Sequence, residues 1–324
     1  MDELAVMGHA LDLRTNSGSY ASAGRLRHYW KPGALVSGIG RDFVDVASID
    51  LRTPGIGAAQ IVADAPLPIG DPPPGPPPID PSLENDDVSV SVSGGQYLDV
   101  SQAQALGFGE EFSISIWLHA ASTGGARKIL EVIEAPSSSR NRISITARND
   151  LPGDPIQVLV WDENADLIHF REYDRLQTVG EWMHLVLVRN GAGIALYANG
   201  SPVAPSWVDV DRDGPMSDRP RMVILGAARD RDDNFWDGGF GHVAVWDRLL
   251  QASEVFELAR MGHALDLRAD SGLYGSSGRL LHYWKPGALA AEIGRDFVDV
   301  APVDLRAAGI GPSQIVSDAP MPIE

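Results

Sequence analysis

The chain has 324 residues, a formal net charge of −18 and no cysteine. Such acidity argues against a nucleic-acid partner, because phosphate binding needs clustered Lys and Arg. The missing Cys excludes disulfides, thiolate metal sites and Cys nucleophiles. No apolar run reaches the length of a bilayer, and the opening MDELAVMGHALDLR has no basic stretch leading into an apolar one, so neither membrane spanning nor Sec export is expected.

The first feature met along the chain is met again at its end. MGHALDLRTNSGSYASAGRLRHYWKPGAL starts at Met7, and MGHALDLRADSGLYGSSGRLLHYWKPGAL starts at Met261. The two copies run in register and without a gap from Glu3 to Ile69 and from Glu257 to Ile323, which is internal repetition. Within each, SGSYASAGRLRHYW or its counterpart suits a short helix stopped by the following Pro and Gly, Pro32 and Gly33 in the first copy. A segment this small with so few periodic stretches would struggle to hold a core alone, so each copy is expected to pack on a larger surface. Next comes PLPIGDPPPGPPPIDP (Pro66–Pro81), where repeated prolines remove amide donors and favour an extended spacer of roughly 40–50 Å. This implies four parts: an N-terminal repeat module at 1–69, a Pro-rich linker at 70–83, a central domain at 84–256 and a C-terminal repeat module at 257–324.

From Val88 to Val245 the chain alternates apolar and polar residues in short segments bounded by Gly, Asn and Asp. Predicted strands include DVSVSVS, EFSISIWLHA, KILEVIE, RISITAR, IQVLVWDE, LIHFREY, EWMHLVLVRN, GIALYANG, RMVILGAA and GHVAVWDR. ENAD and NGAG supply hairpin turns. The fold class is mainly β, an antiparallel jelly roll or sandwich. EWMHLVLVR is apolar in both parities, Trp182, Val186 and Val188 against Met183, Leu185 and Leu187, so that strand needs cover on both faces. One cover is the opposing sheet, and the His282, Tyr283, Trp284 stretch is a candidate for the other. LLQASEVFELARMGH reads as a helix with Ser253 as N-cap and Val255, Phe256, Leu258 and Ala259 on one face.

Three stretches resemble the laminin-G-like domains of the concanavalin A-like lectin and glucanase superfamily. QYLDVSQAQALGFGEEFSISIWLHAAS is similar to the family's opening. VGEWMHLVLVRNGAGIALYANGSPV places Gly180, Trp182, His184, Tyr197, Asn199 and Gly200 on its most specific motif, and WDGGFGHVAVWDRLLQASEV resembles its ending. Asn199 replaces the usual acidic turn residue at little cost, since Asn also tolerates left-handed geometry. Gly241 stands where the family often has an acidic residue, so no polar or calcium role carries over to it. The glucanase relatives set carboxylates as E-x-D-x-x-E on one strand; LEVIEA lacks the middle acid, so the domain reads as non-catalytic. The repeats resemble segments that follow laminin-G-like domains in large structural proteins of tailed phages and some marine bacteria. That likeness implies a virion-surface protein, a decoration or fibre assembling through its repeats with other copies of itself or with capsid or tail proteins. His28, Tyr29, Trp30, His282, Tyr283 and Trp284 are the expected interface. The alternative is a carbohydrate-binding module at a cell surface or outside the cell, recognising surface polysaccharide with or without calcium.

Site candidates follow from residue type and spacing. Trp161, His169, Arg171 and Tyr173 lie on a predicted hairpin and could form an aromatic, hydrogen-bonding platform for a sugar ring. Asp209, Asp211 and Asp213 in DVDRDG have the D-x-D-x-D-G form of a calcium loop, although Pro220 stands where a bidentate Glu belongs. His184 reads as a core histidine. No catalytic residue and no other cofactor is expected.

Overall fold

A computed structural model of the chain describes residues 88–100, 103–107, 109–285, 295–298, 304–308, 310 and 312–320. The chain divides into two units, residues 1–78 and 79–324, and everything described belongs to the second. The first repeat copy, with His28, Tyr29 and Trp30, and the proline-rich stretch lie outside the described residues.

The alternating segments become strands in chain order: β1 (Ser89–Val92), β2 (Tyr97–Asp99), β3 (Glu111–Ala120), β4 (Ala126–Ile133), β5 (Ile143–Arg148), β6 (Ile156–Trp161) and β7 (Leu167–Tyr173). After these come β8 (Trp182–Asn190), β9 (Ile194–Ala198), β10 (Ser201–Val203), β11 (Trp207–Asp211), β12 (Met222–Leu225) and β13 (Gly238–Trp246). One helix follows, α1 (Ala252–Met261), and then β14 (Leu280–Lys285), β15 (Arg295–Asp296), β16 (Arg306–Ala308) and β17 (Ile315–Val316). Two antiparallel sheets form a β-sandwich, the jelly-roll class expected. The first sheet runs β10-β9-β8-β3-β13-β1-β17 with β14 also on β13, and the second runs β11-β7-β6-β5-β4-β12-β2-β16. Between them lies a core that includes Ile114, Ile116, Leu185, Leu187, Ile145 and Val158. The Asn199–Gly200 turn joining β9 and β10 has φ of 48° and 81°, the left-handed geometry that Asn and Gly accept.

The strand apolar in both parities is covered on both sides. Its second cover is a separate cluster on the outer face of the first sheet, where Val186 and Val188 of β8 and Ala244 and Trp246 of β13 meet Val255 and Leu258 of α1. Leu265, Leu267, Tyr274, Leu280 and Tyr283 of the C-terminal repeat complete it. The aromatic stretch is only part of that cover, for it also enters the sheet. β14 pairs with β13, Val243 opposite Trp284 and Ala244 opposite Tyr283. Side-chain alternation then sends Tyr283 outward and Trp284 into the sandwich core. β16 and β17 of the same repeat add to β2 in the second sheet and to β1 in the first.

Two local expectations are corrected. The segment SGLYGSSGRLLHYW is not a helix: a single tight turn at Ser277–Arg279 leads into β14, because an open sheet edge offers its backbone more hydrogen bonds than an isolated short helix would. Helix α1 is capped at Gln251, whose backbone N–H donates to the Glu254 carboxylate at 2.8 Å, and Ser253 lies within the first turn. Phe256 is 49 % exposed, whereas Val255, Leu258 and Ala259 are buried.

Gly241 has a packing reason of its own. A Cβ there would stand 2.5 Å from His263 Nε2 and 3.0 Å from Trp117 Cβ, so the close approach of the C-terminal repeat requires glycine. Gly241→Ala is expected to cost about 1–3 kcal/mol, read as a lower urea midpoint. An unchanged midpoint would mean that His263 does not sit against this strand.

Candidate functional site

The outer face of the second sheet is built by parity. On β5 the residues Ile143, Ile145 and Ala147 point into the core, which turns Ser144, Thr146 and Arg148 outward. On β6, Ile156, Val158 and Val160 point in, leaving Gln157, Leu159 and Trp161 outward. These residues, with Lys128 and Arg142, line an open cleft of about 240 Å³. The aromatic surface continues across β7 to the edge strand, where Phe170 meets Trp207 edge-on at 5.1 Å and Trp207 is 45 % exposed.

A charged network underlies the cleft. Glu131 is buried and accepts from Arg142 at 2.9 and 3.0 Å and from the Ser144 hydroxyl at 3.0 Å. Lys128 Nζ sits 2.8 Å from the same carboxylate and donates to Ser144 and Thr146. Burial works to raise the Glu131 carboxyl, but Arg142 and Lys128 outweigh it and hold it below its ordinary value. Burial also lowers the Lys128 ammonium against the pull of Glu131. The Arg142 guanidinium lies 4.4 Å over the Trp161 ring, a cation–π contact that orients the indole. Gln157 donates to Glu172 at 2.6 Å and accepts from Arg148 at 3.1 Å. With both Glu131 oxygens committed to these partners, the strand that came nearest to a glucanase pattern has no carboxylate free there for acid or nucleophile chemistry.

The structure does not bring the sequence-predicted quartet together. Trp161 faces the cleft, but a bulge between Val160 and Trp161 resets the pairing with β7, and His169, Arg171 and Tyr173 face the other way. His169 and Tyr173 are fully buried. His169 Nδ1 lies 2.8 Å from Asp211, and Arg171 donates to both Asp211 oxygens at 2.7 and 2.8 Å. Burial lowers the His169 imidazole, more than Asp211 raises it. For Asp211 burial works upward, yet Arg171 and His169 hold the carboxyl below its usual range.

The same contacts remove Asp211 from any calcium loop. DVDRDG begins as strand β11, with Asp209 at a bulge; extended backbone sets alternate carboxylates about 6–7 Å apart instead of converging them. Among the described residues no group of three His, Cys, Asp or Glu is placed to hold a metal ion. His184 lies on the covered face of the first sheet, its Nε2 2.7 Å from the Ser115 hydroxyl and its ring stacked on Trp117.

Sequence reasoning missed Lys128, Arg142, Ser144, Thr146, Gln157 and Leu159. The signal was present in RISITAR and IQVLVWDE, whose polar parity marks one face, but only the pairing of β5 with β6 puts those parities side by side.

A second cleft, about 600 Å³, lies among loops at Gly94, Gly124, Arg127, Phe235 and Asp237. Arg127 is spent there on the Gly124 and Phe235 carbonyls and on Ser122.

Residues 92–256, about half of the chain, match the family model of the third laminin G type, described as the concanavalin A-like lectin/glucanases superfamily. The chain belongs to that superfamily. No curated protein matches the chain. Among solved structures, this lectin-like sandwich is similar to a heptameric SAP-like pentraxin from Limulus polyphemus, at 17 % identity and a TM-score of 0.40, over 53 % of this chain and 80 % of that one. It is also similar to a putative carbohydrate binding protein from Bacteroides ovatus, at 14 % identity and a TM-score of 0.45, over 64 % and 54 % of the two chains. A third is the CBM40 of Ruminococcus gnavus IT-sialidase bound to α2,3-sialyllactose, at 14 % identity and 0.43, over 53 % and 96 %. At these identities the likeness is one of fold, and none of the three says what this chain binds.

Proposed function

We propose that the sandwich is a non-catalytic carbohydrate-binding domain and that its ligand lies across the outer face of the second sheet. The observation that carries this is the asymmetry of the two outer faces. The first sheet is closed over by α1 and the C-terminal repeat, whereas the second leaves Trp161, Leu159, Phe170 and Trp207 partly exposed beside Arg142, above the buried, internally bonded Ser144, Thr146 and Gln157. Apolar ring faces interspersed with fixed hydrogen-bonding groups suit a sugar, which has both kinds of surface. The resemblance of the repeats supports display on a virion or cell surface, and it alone bears on that placement.

The test is a glycan array probed with the full chain, with and without calcium, followed by calorimetry on any hit. Trp161→Ala is expected to weaken binding about 10-fold or more, the loss of an aromatic anchor worth about 1.5–2 kcal/mol, while the melting temperature stays close to that of the parent. Absence of glycan binding in both conditions, or equal affinity for the variant, would sink the proposal.

A further inference from the structure

The two repeat copies form a natural comparison, because the structure shows which positions of the second are buried. Every described buried position of the C-terminal copy, from Glu257 to Pro320, carries the same residue in the N-terminal copy. Half of its described exposed positions differ, among them Val6 against Arg260, Asn16 against Asp270, Ser19 against Leu273 and Ala21 against Gly275. Substitution is concentrated where the second copy meets solvent; of the positions that meet the sandwich, partly buried Leu281 is Arg27 in the first copy, and Ala307 and Ala308 of β16 are Thr53 and Pro54. A leftover duplication with nothing to pack against would have drifted on both sides, since apolar residues without a counterpart contribute no burial.

The retained residues are those that fill one site. Leu265, Leu267, Tyr274, Leu280 and Tyr283 cover the outer face of the first sheet, and His282 and Trp284 bracket β14 on its inner side. Their equivalents are Leu11, Leu13, Tyr20, Leu26, Tyr29, His28 and Trp30. Among the described residues the sandwich offers one such site, and its own C-terminal copy fills it. We propose that residues 3–69 dock by the same edge-strand addition on a concanavalin A-like sandwich carried by another polypeptide. The partner's last strand must have an open edge and an outer face of small and apolar residues, as Val243–Trp246 has here. Strand addition supplies main-chain hydrogen bonds, and the alternate side chains supply specificity.

The absence of cysteine makes a clean cross-linking test. Asp247 and Arg279 form a 2.8 Å ion pair at the rim of the site, and Arg25 is the first-copy equivalent of Arg279. A full-length acceptor carries Asp247→Cys, with Tyr20→Ala, Tyr29→Ala, Tyr274→Ala and Tyr283→Ala to empty its site. A full-length donor carries Arg25→Cys. Mixed and treated with a short bis-maleimide, they should give a donor–acceptor dimer several-fold above that from a donor also bearing Tyr20→Ala and Tyr29→Ala. The single chain with Asp247→Cys and Arg279→Cys is the internal standard. Equal dimer from both donors, or none while the standard cross-links, overturns the proposal. Should the acceptor fail to fold, thermal melts decide: a chain with only Tyr274→Ala and Tyr283→Ala should melt higher as its concentration rises, a rise that is lost when Tyr20→Ala and Tyr29→Ala are added. Identical, concentration-independent melts would overturn it as well.

Discussion

Trp284→Ala is expected to lower the unfolding free energy of the sandwich by about 3–5 kcal/mol, the range for deleting a buried aromatic. The residue belongs to the C-terminal repeat by sequence, yet its ring is 2 % exposed within the core between the two sheets. It stacks on His282 at 5.0 Å, and His282 Nε2 in turn lies 3.1 Å from the Leu106 carbonyl. Removing the indole therefore opens a cavity that β14 cannot close without leaving β13. The matching change in the first copy, Trp30→Ala, should leave the urea midpoint of the sandwich where it is. Tryptophan fluorescence through a urea titration reads both variants. Equal midpoints for Trp284→Ala and the parent would show that the repeat is an appendage and not part of the core.

Acid is expected to destabilise the protein before its carboxylates titrate. Burial pushes the His184 imidazole down to about 3 and holds His242 well below its ordinary value, helped by the charges of His263 and Lys285. His242 is stacked on His263 at 3.8 Å, and its Nδ1 faces the Tyr283 hydroxyl at 2.8 Å. A proton there would repel its neighbours at the junction between repeat and sheet. Both groups are depressed in the folded state, so the unfolded chain binds the extra protons, and stability falls as pH drops below about 6.5. His184 contributes about 1.4 kcal/mol per pH unit in that window, and His242 acts with the same sign. From pH 7 to pH 5 His184 removes about 2 kcal/mol and His242 adds to the loss in the same direction, while the lowered carboxyls of Glu131 and Asp211 keep their contribution until about pH 4. Urea midpoints at pH 7, 6 and 5 measure the slope, and His242→Gln should remove one of its two protons. A flat profile over that range would contradict the neutral, buried state of these rings.

Local pattern carried much of the fold. EFSISIWLHA and LIHFREY are strands over the lengths expected, because apolar alternation and turn residues act within a few positions of one another. The double-sided β8 announced its second cover for the same reason. The short strands β2, β10 and β11 have too few residues for a period to show, and β14 takes its conformation from the edge of β13 and not from its own propensity.

The candidate site was legible residue by residue but not as an assembly. Trp161 was identified and its true companions were not, since a single bulge on β7 turns His169, Arg171 and Tyr173 to the opposite face. The amino-acid order by itself determined the sandwich class, the repeated segment and the apolar alternation within the long strands, though not which way β7 faces beyond its bulge. Tertiary structure alone decided which strands lie side by side, that the C-terminal repeat enters both sheets, and which polar faces meet in one cleft. Those outcomes depend on pairings between residues far apart in the chain, where register is chosen by the burial of whole faces together.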